Sequence, residues 1–363
     1  MPHLQGHCVS DRIRGSFDTN TISSVNLTNS KYNAFALVRE MLETPELIRR
    51  FNFGQMKTVA QQVKKTGKLF LSGEGSSRIF PAKNFIDLAR RAGLDLTVAT
   101  EGSRQAMEYD LSQWFVCASS NSGQTAETID FLVKLKREGH NKCLAVTANP
   151  QGKIREFADE SIVLACGKED AVAATKSVAE QALVYQSLLG EICDCSCAKS
   201  VNEAATLSAQ VLNVEYDPAM IDALAQADTI YWAGRNNGVA EELTLKTNEI
   251  TRKKSDFLEG TYLLHGAEEI MQPKDVVVLV DPFEAEWARI QQRYVDAINL
   301  KLIAIAPKQT PFETIIMPAL KGYDGYIQLL AGWNLLVQTG VARGVNLDKP
   351  QRARKIGNEY TGG

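Results

Sequence analysis

No run of apolar residues in this chain reaches the ~18–20 residues that a membrane-spanning helix needs, and the N-terminal stretch MPHLQGHCVSDRIRGSFDTN lacks the apolar core of a secretory signal. A cytoplasmic protein with no membrane partner is therefore expected. Charge of one sign is also missing. A formal net charge of −3 leaves no electrostatic case for binding nucleic acid or an anionic lipid surface. Histidine is scarce: His3, His7, His140 and His265 share no local metal-ligand spacing, so no metal is expected, and no organic cofactor is expected either. The seven cysteines are odd in number and form no disulfide framework in a chain this long. The tight cluster CDCSC, with Cys193, Cys195 and Cys197, is closer-set than zinc pairs and reads as small residues at a helix-to-linker junction. A Walker lysine and a Rossmann glycine triplet are both absent, which argues against a nucleotide.

What is present is alternation. With 363 residues the chain is long enough for two cores. After a polar leader over 1–30, YNAFALVREMLETPELIRRF has helical spacing, with Pro45 expected to separate two helical pieces. KLFLSG, LDLTVA, WFVCAS, CLAVTAN and IVLACG then read as short strands between helical or polar segments, before a long helix over AVAATKSVAEQALVYQSLLGEI. A helical stretch over 198–226 leads to a second such series. Its opening unit, TIYWAGRNNGVAEELTLKTNEI, lies about 160 residues after the first. VVVLVD and LIAIAP supply later strands, and GYIQLLAGWNLLVQTGVARG a closing helix. Strands alternating with helices predict an α/β chain of two doubly wound, mostly parallel sheets flanked by helices: a first domain over 31–197, a linker over 198–226, a second domain over 227–345 and a tail over 346–363.

Ligands of such sheets bind beyond the strands' carboxyl ends. Two loops placed there are rich in hydroxyls. GEGSSR, with Gly75, Ser76 and Ser77, follows the first strand, and SSNSGQTAET, with Ser120, Asn121, Ser122, Gln124 and Thr125, follows WFVCA. A phosphate there would meet free backbone N–H groups, a helix N-terminus and hydroxyl donors. Gly123 would let the backbone come close. The blander role for the same residues is helix capping. In EELTLKTNEI, Glu242, Lys246 and Glu249 stand at i, i+4 and i+7, on one helical face, where a solvated charge ladder is the commoner outcome.

On these motifs the chain resembles the sugar isomerase (SIS) domain family, with two such domains in tandem over about residues 32–355. The similarity is greatest with the isomerase half of glucosamine-6-phosphate synthase. SSNSGQTAET resembles the family's phosphate loop and VAATKS, with Val172 and Ala173, the segment closing over the sugar. The resemblance implies that Glu249 is the base acting at the substrate's first two carbons, with Glu242 and Lys246 as polar companions. It implies that His265 assists ring opening and reaches the site of a neighbouring subunit, which makes a homodimer the expected assembly. Lys355, in DKPQRARK, falls on the family's substrate-contacting lysine, with a tail that closes the site. For His265 the blander role is a structural histidine, and for Lys355 a mobile basic tail.

The chain departs from the pattern in three places. About 66 residues precede the first expected strand and Pro2 follows Met1, so glutaminase activity is not expected. Tyr262 and Ala267 stand where the family's histidine loop commonly has glutamate and proline. The end NEYTGG differs from the synthase tail. The implied function is a sugar-phosphate isomerase or an amino-sugar-phosphate isomerase or deaminase moving a proton between carbon-1 and carbon-2. The alternatives are a sugar-phosphate sensor without turnover and a deglycase acting on fructosyl-amine phosphates.

Overall fold

A computed structural model describes Leu27, residues 29–195 and residues 197–362. Most of the expected leader over 1–30 lies outside the described residues, and of the rest Leu27 is buried in the core.

Among the described residues ten strands form two all-parallel sheets. The first holds β1 (Lys68–Gly73), β2 (Thr97–Glu101), β3 (Phe115–Ser119), β4 (Cys143–Thr147) and β5 (Glu160–Val163), in the order β2-β1-β3-β4-β5. The second holds β6 (Thr229–Gly234), β7 (Lys254–Glu259), β8 (Val276–Val280), β9 (Lys301–Ala306) and β10 (Glu313–Ile316), in the order β10-β9-β8-β6-β7. Counted within each sheet, both orders are 2-1-3-4-5, so each places its switch point between its first and third strands.

Alternating side chains load both faces of each sheet. Leu69 and Leu71 of β1 pack on helices Lys57–Thr66, Ile79–Arg91 and Lys176–Ile192, while Phe70 points to the opposite face, against helix Ala126–Arg137. In the second sheet, Ile230 and Trp232 join a core with the N-terminal helix Ala36–Arg50, helices Val201–Leu212 and Pro218–Gln226, and the closing helix Asp324–Ala342. That core also takes in Phe80 and Val178 from helices of the first half, so it ties the two halves together. The closing helix is apolar around nearly its whole circumference because it is buried on all sides.

Several expectations shift. Pro45 does not divide the N-terminal helix, which runs unbroken over Ala36–Arg50. One lost hydrogen bond is offset there by the buried face of Leu37, Val38, Met41 and Ile48. The IVLACG strand ends at Val163, and the long helix starts at Lys176, after VAAT. The edge strands β7 and β10 carry no long apolar run and were not expected. Cys193 and Cys195 are disulfide-bonded, since Asp194, at φ 50°, turns the chain and leaves their Cα atoms 5.3 Å apart. Cys117, Cys143 and Cys166 are free and buried.

Candidate active site

A cleft of about 1090 Å³ opens at the switch point of the first sheet, between the ends of β1 and β3. Gly75, Ser76 and Ser77 form a single 3-10 turn directly after β1 and line one wall. Asn121, Ser122, Gln124 and Thr125, after β3, line the next. Ser120 lies beneath the surface, 1% exposed, with its Oγ 2.8 Å from Thr125 Oγ1 and accepting the Gly123 N–H at 3.1 Å. It shapes the turn without lining the cleft. Gly123 has φ 66°, and a Cβ there would stand 2.5 Å from Gly152 Cα. The close approach that requires glycine is thus made by the loop after β4.

The expected free N–H groups at the next helix are partly occupied. Ala126 N–H donates to the carbonyl of Asn358, and Tyr360 N–H donates to that of Gln124. Chain segment 355–359 lies along the cleft. Lys355 Nζ donates to Ala171 O at 2.7 Å and stands 3.4 Å from Glu169 Oε2.

Glu169 was not among the sequence candidates, although it stands just ahead of VAATKS. Its side chain is wholly buried, and it accepts from Asn121 Nδ2 at 2.9 Å, Thr175 N at 2.8 Å and Ser177 Oγ at 2.7 Å. Burial pushes its pKa up, but Lys355 and the Ser177 and Thr175 donors outweigh it and hold the carboxyl below its ordinary range. The signal was an acidic residue in a loop whose neighbours, Thr175 and Ser177, are both donors. Glu40 from the N-terminal helix accepts from the backbone N–H groups of Asp170 and Ala171 and so anchors the same loop. Val172 lines the cleft. Ala173, 1% exposed, packs into the core instead, and Ala174 takes the lining position.

The second half contributes a further cluster of charges. Helix Val239–Lys246 does not continue as an α-helix: Thr247–Thr251 is a π-helical turn, ended by Arg252 at φ 59°. Glu242 and Lys246 keep their i, i+4 relation within the α-helix, and Glu249 follows from the π-helical turn. The three groups meet. Lys246 Nζ lies 2.7 Å from Glu249 Oε2, 3.4 Å from Glu242 Oε1 and 2.8 Å from Ser76 Oγ. Glu242 and Lys246 are fully buried behind the cleft, while Glu249 lines it with its side chain 26% exposed. Burial pushes the Glu242 carboxyl up, against the pull of Lys246. For Lys246, burial is outweighed by Glu249 and Glu242, and its pKa is raised. The charge on Lys246 is thereby shared between a Glu249 carboxylate and a hydroxyl from the other half of the chain.

His265 is exposed, on the segment between β7 and β8, and is not part of this cleft. Exposed Tyr262 and Ile270 flank it. Among the described residues no group of three or more His, Cys, Asp or Glu side chains could hold a metal, and no helix is long and apolar enough to cross a membrane.

Comparison with known proteins places this geometry. No family model matches the chain. In sequence it is 23% identical over 359 residues to the isomerizing glutamine–fructose-6-phosphate aminotransferase of Streptococcus pneumoniae, covering 88% of this chain and 58% of that protein. In structure it superposes on glucosamine-6-phosphate deaminase from Thermotoga maritima with a TM-score of 0.71 and 17% identity, covering 88% of this chain and 99% of that one. The chain has the sugar isomerase fold. Tagatose-6-phosphate ketose/aldose isomerase from Escherichia coli shares it, with a TM-score of 0.70, 16% identity, and coverage of 88% of this chain and 98% of that one. The sugar isomerase fold thus agrees with the family resemblance read from the loops, and the chain spans 58% of the length of the S. pneumoniae relative.

Proposed function

We propose that this protein is a sugar-phosphate isomerase or deaminase that moves a proton between carbon-1 and carbon-2 of an open-chain six-carbon sugar phosphate. The observation that carries this reading is the meeting of Glu249, Lys246 and Ser76 at the cleft floor. A carboxylate open to the cleft is held by a buried ammonium that also fixes the hydroxyl loop. The phosphate would be taken by Ser76, Ser77, Ser122 and Thr125, with Asn121 and Gln124 beside them, and Val172 would close over the sugar. Glu249 would take the proton from one carbon and return it to the other, a positioned transfer of the kind that contributes ~10²–10⁴-fold in rate. Lys246, buried at 0% exposure, suits holding the Glu249 charge rather than touching the substrate oxygen. Lys355, close to Glu169, is the amine of this cleft that would approach the open-chain carbonyl.

The cleft's charge favours an amine-bearing substrate. Glu74, Glu127, Glu169, Glu249 and Glu359 line it with Lys168 and Lys355, and Lys246 behind the cleft offsets only Glu249. A substrate with a cationic nitrogen offsets that acidic surplus, whereas a hydroxy-aldose phosphate adds to it. His265 would reach the cleft of a second copy, a role supported by its exposure between Tyr262, 55% exposed, and Ile270, 66% exposed.

Proton NMR with glucosamine 6-phosphate in D₂O, following deuterium at carbon-2 and free ammonium together, tests the reading. Exchange with release of ammonium and fructose 6-phosphate is expected. Exchange on hydroxy-aldose phosphates alone would assign an isomerase. Tight binding with no exchange on either would overturn the enzyme reading in favour of a sensor.

A further inference from the structure

The second sheet has its own crevice, of about 740 Å³, at the same switch point that forms the active cleft in the first. Arg235 follows β6 directly and Asp281 follows β8 directly, as Glu74 follows β1 and Ser120 follows β3. The remaining wall comes from the start of the closing helix and from helix Ile79–Arg91 of the first half.

The chemistry of this crevice differs from that of a filled core. Gln328, 8% exposed, lines it, and its buried Oε1 has no donor among the described residues. Arg235 bonds Asp281 Oδ2 at 2.6 Å through Nε alone, with its guanidinium carbon 4.2 Å from the centre of the Phe283 ring. That fixes the guanidinium while leaving its terminal nitrogens without a bond among the described residues. Asn237 uses Oδ1 to accept the Val239 N–H at 3.1 Å, so its Nδ2 donors stay open. Lys321 is exposed at the rim and makes no ion pair among the described residues.

Donors and acceptors therefore share one cavity. A simple anion would satisfy Arg235, Asn237 and Lys321 but would face Asp281 and the Gln328 oxygen unmatched. The Arg91–Asp87 pair and Asp324, whose Oδ1 accepts the Leu320 N–H, also line the crevice. A neutral polyol would satisfy the acceptors but would leave Lys321 with no ion pair among the described residues. We propose that this crevice is a second ligand site, and that it takes a phosphorylated polyol. The choice of ligand class rests in part on the reading of the first cleft; the cavity itself does not.

The two sites share a helix. Ile79–Arg91 begins directly after Ser77 and Arg78 and presents Asn84 to the crevice. Its Lys83 is paired with Glu241 of the helix that leads to Glu249. A Cβ on Gly238, at the start of that helix, would stand 2.7 Å from Ile79 O, so the two helices are in close contact. Occupancy of the crevice thus bears on an element that both walls of the active cleft use.

Isothermal titration of the full chain with fructose 6-phosphate tests the proposal. Two classes of site are expected. Lys321→Ala, an exposed change that spares the fold, should weaken one class about tenfold, as loss of a charge-assisted contact does. Gln328→Leu should weaken the same class, with a thermal melt to check folding. Ser122→Ala with Thr125→Val should weaken only the other. Inorganic phosphate should bind the Lys321-dependent class at least about tenfold more weakly than fructose 6-phosphate, and equal affinity would refute the polyol part. Finding no class that responds to Lys321→Ala or Gln328→Leu would overturn the site. A single class sensitive to Lys321 and not to Ser122 would support the crevice while refuting the reading of the first cleft.

Discussion

The two halves of the chain carry sheets of the same strand order but bring different chemistry to the cleft they build. The first half brings hydroxyls in short turns, tied mainly to one another, and separate carboxylates, of which Glu169 is held by hydroxyl, amide and backbone donors. The second brings three charges, two of them with side chains wholly buried. Hydroxyls can line a cleft cheaply because each both donates and accepts. Buried charges cost desolvation and persist only when paired, so they sit where packing already excludes water. The contrast shows that a repeated backbone fixes where a cleft forms, and the loops decide what it can do.

The largest test of that contrast strikes the charge open to the cleft. Glu249→Gln should lower turnover at least ~10²–10⁴-fold while leaving sugar-phosphate affinity within about threefold, measured by NMR exchange and titration. Undiminished turnover would remove Glu249 from the chemistry. If His265 acts across an interface, mixing Glu249→Gln with His265→Ala chains should restore activity that neither shows alone.

Next comes the buried pair. Lys246→Met leaves Glu242 and Glu249 without their cation and should cost about 3–5 kcal/mol in urea unfolding. Adding Glu242→Gln should recover part of that loss. No recovery would mean that Glu242 and Lys246 are not coupled as their 3.4 Å separation indicates.

In the first half the expected costs are steric and smaller. Gly123→Ala forces φ 66° on a residue with a Cβ and drives it into Gly152, which should cost about 2–3 kcal/mol. Ser122→Ala, by contrast, should change stability by less than about 1 kcal/mol and act on binding.

The smallest effect is a pH dependence. The Glu169 pKa is lowered in the folded state, so its contribution is present above the ordinary value of 4.5 and is lost as pH falls through the folded value. His140 adds in the same direction: burial lowers its pKa from the ordinary 6.5, so stability declines as pH drops through that ordinary value. Urea midpoints of wild type and Glu169→Gln should converge as the pH falls below about 4. Parallel curves would mean that Glu169 has no net stabilising interaction with Lys355.

Much of the framework was legible because its signals are local. Central strands such as KLFLSG and VVVLVD are buried on both faces and read as apolar runs, whereas the edge strands β7 and β10 mix charged with apolar residues and were missed. The hydroxyl loops were legible because strand ends and glycine turns mark them. Glu169 was not, because its importance comes from Asn121 and Lys355, which lie 48 and 186 residues away in sequence.

By itself the sequence determined the alternation of strands and helices, the two-sheet plan, and the presence of Glu249, Lys246 and Lys355 as candidates, since periodicity and motif spacing are properties of neighbours along the chain. Only the tertiary structure decided that Glu242 and Lys246 lie behind the cleft, that Ala173 packs inward and that the segment after Lys355 lies along the hydroxyl loop after β3. Burial and pairing are set by contacts between distant segments, as the bond from Lys246 to Ser76, 170 residues away in sequence, illustrates.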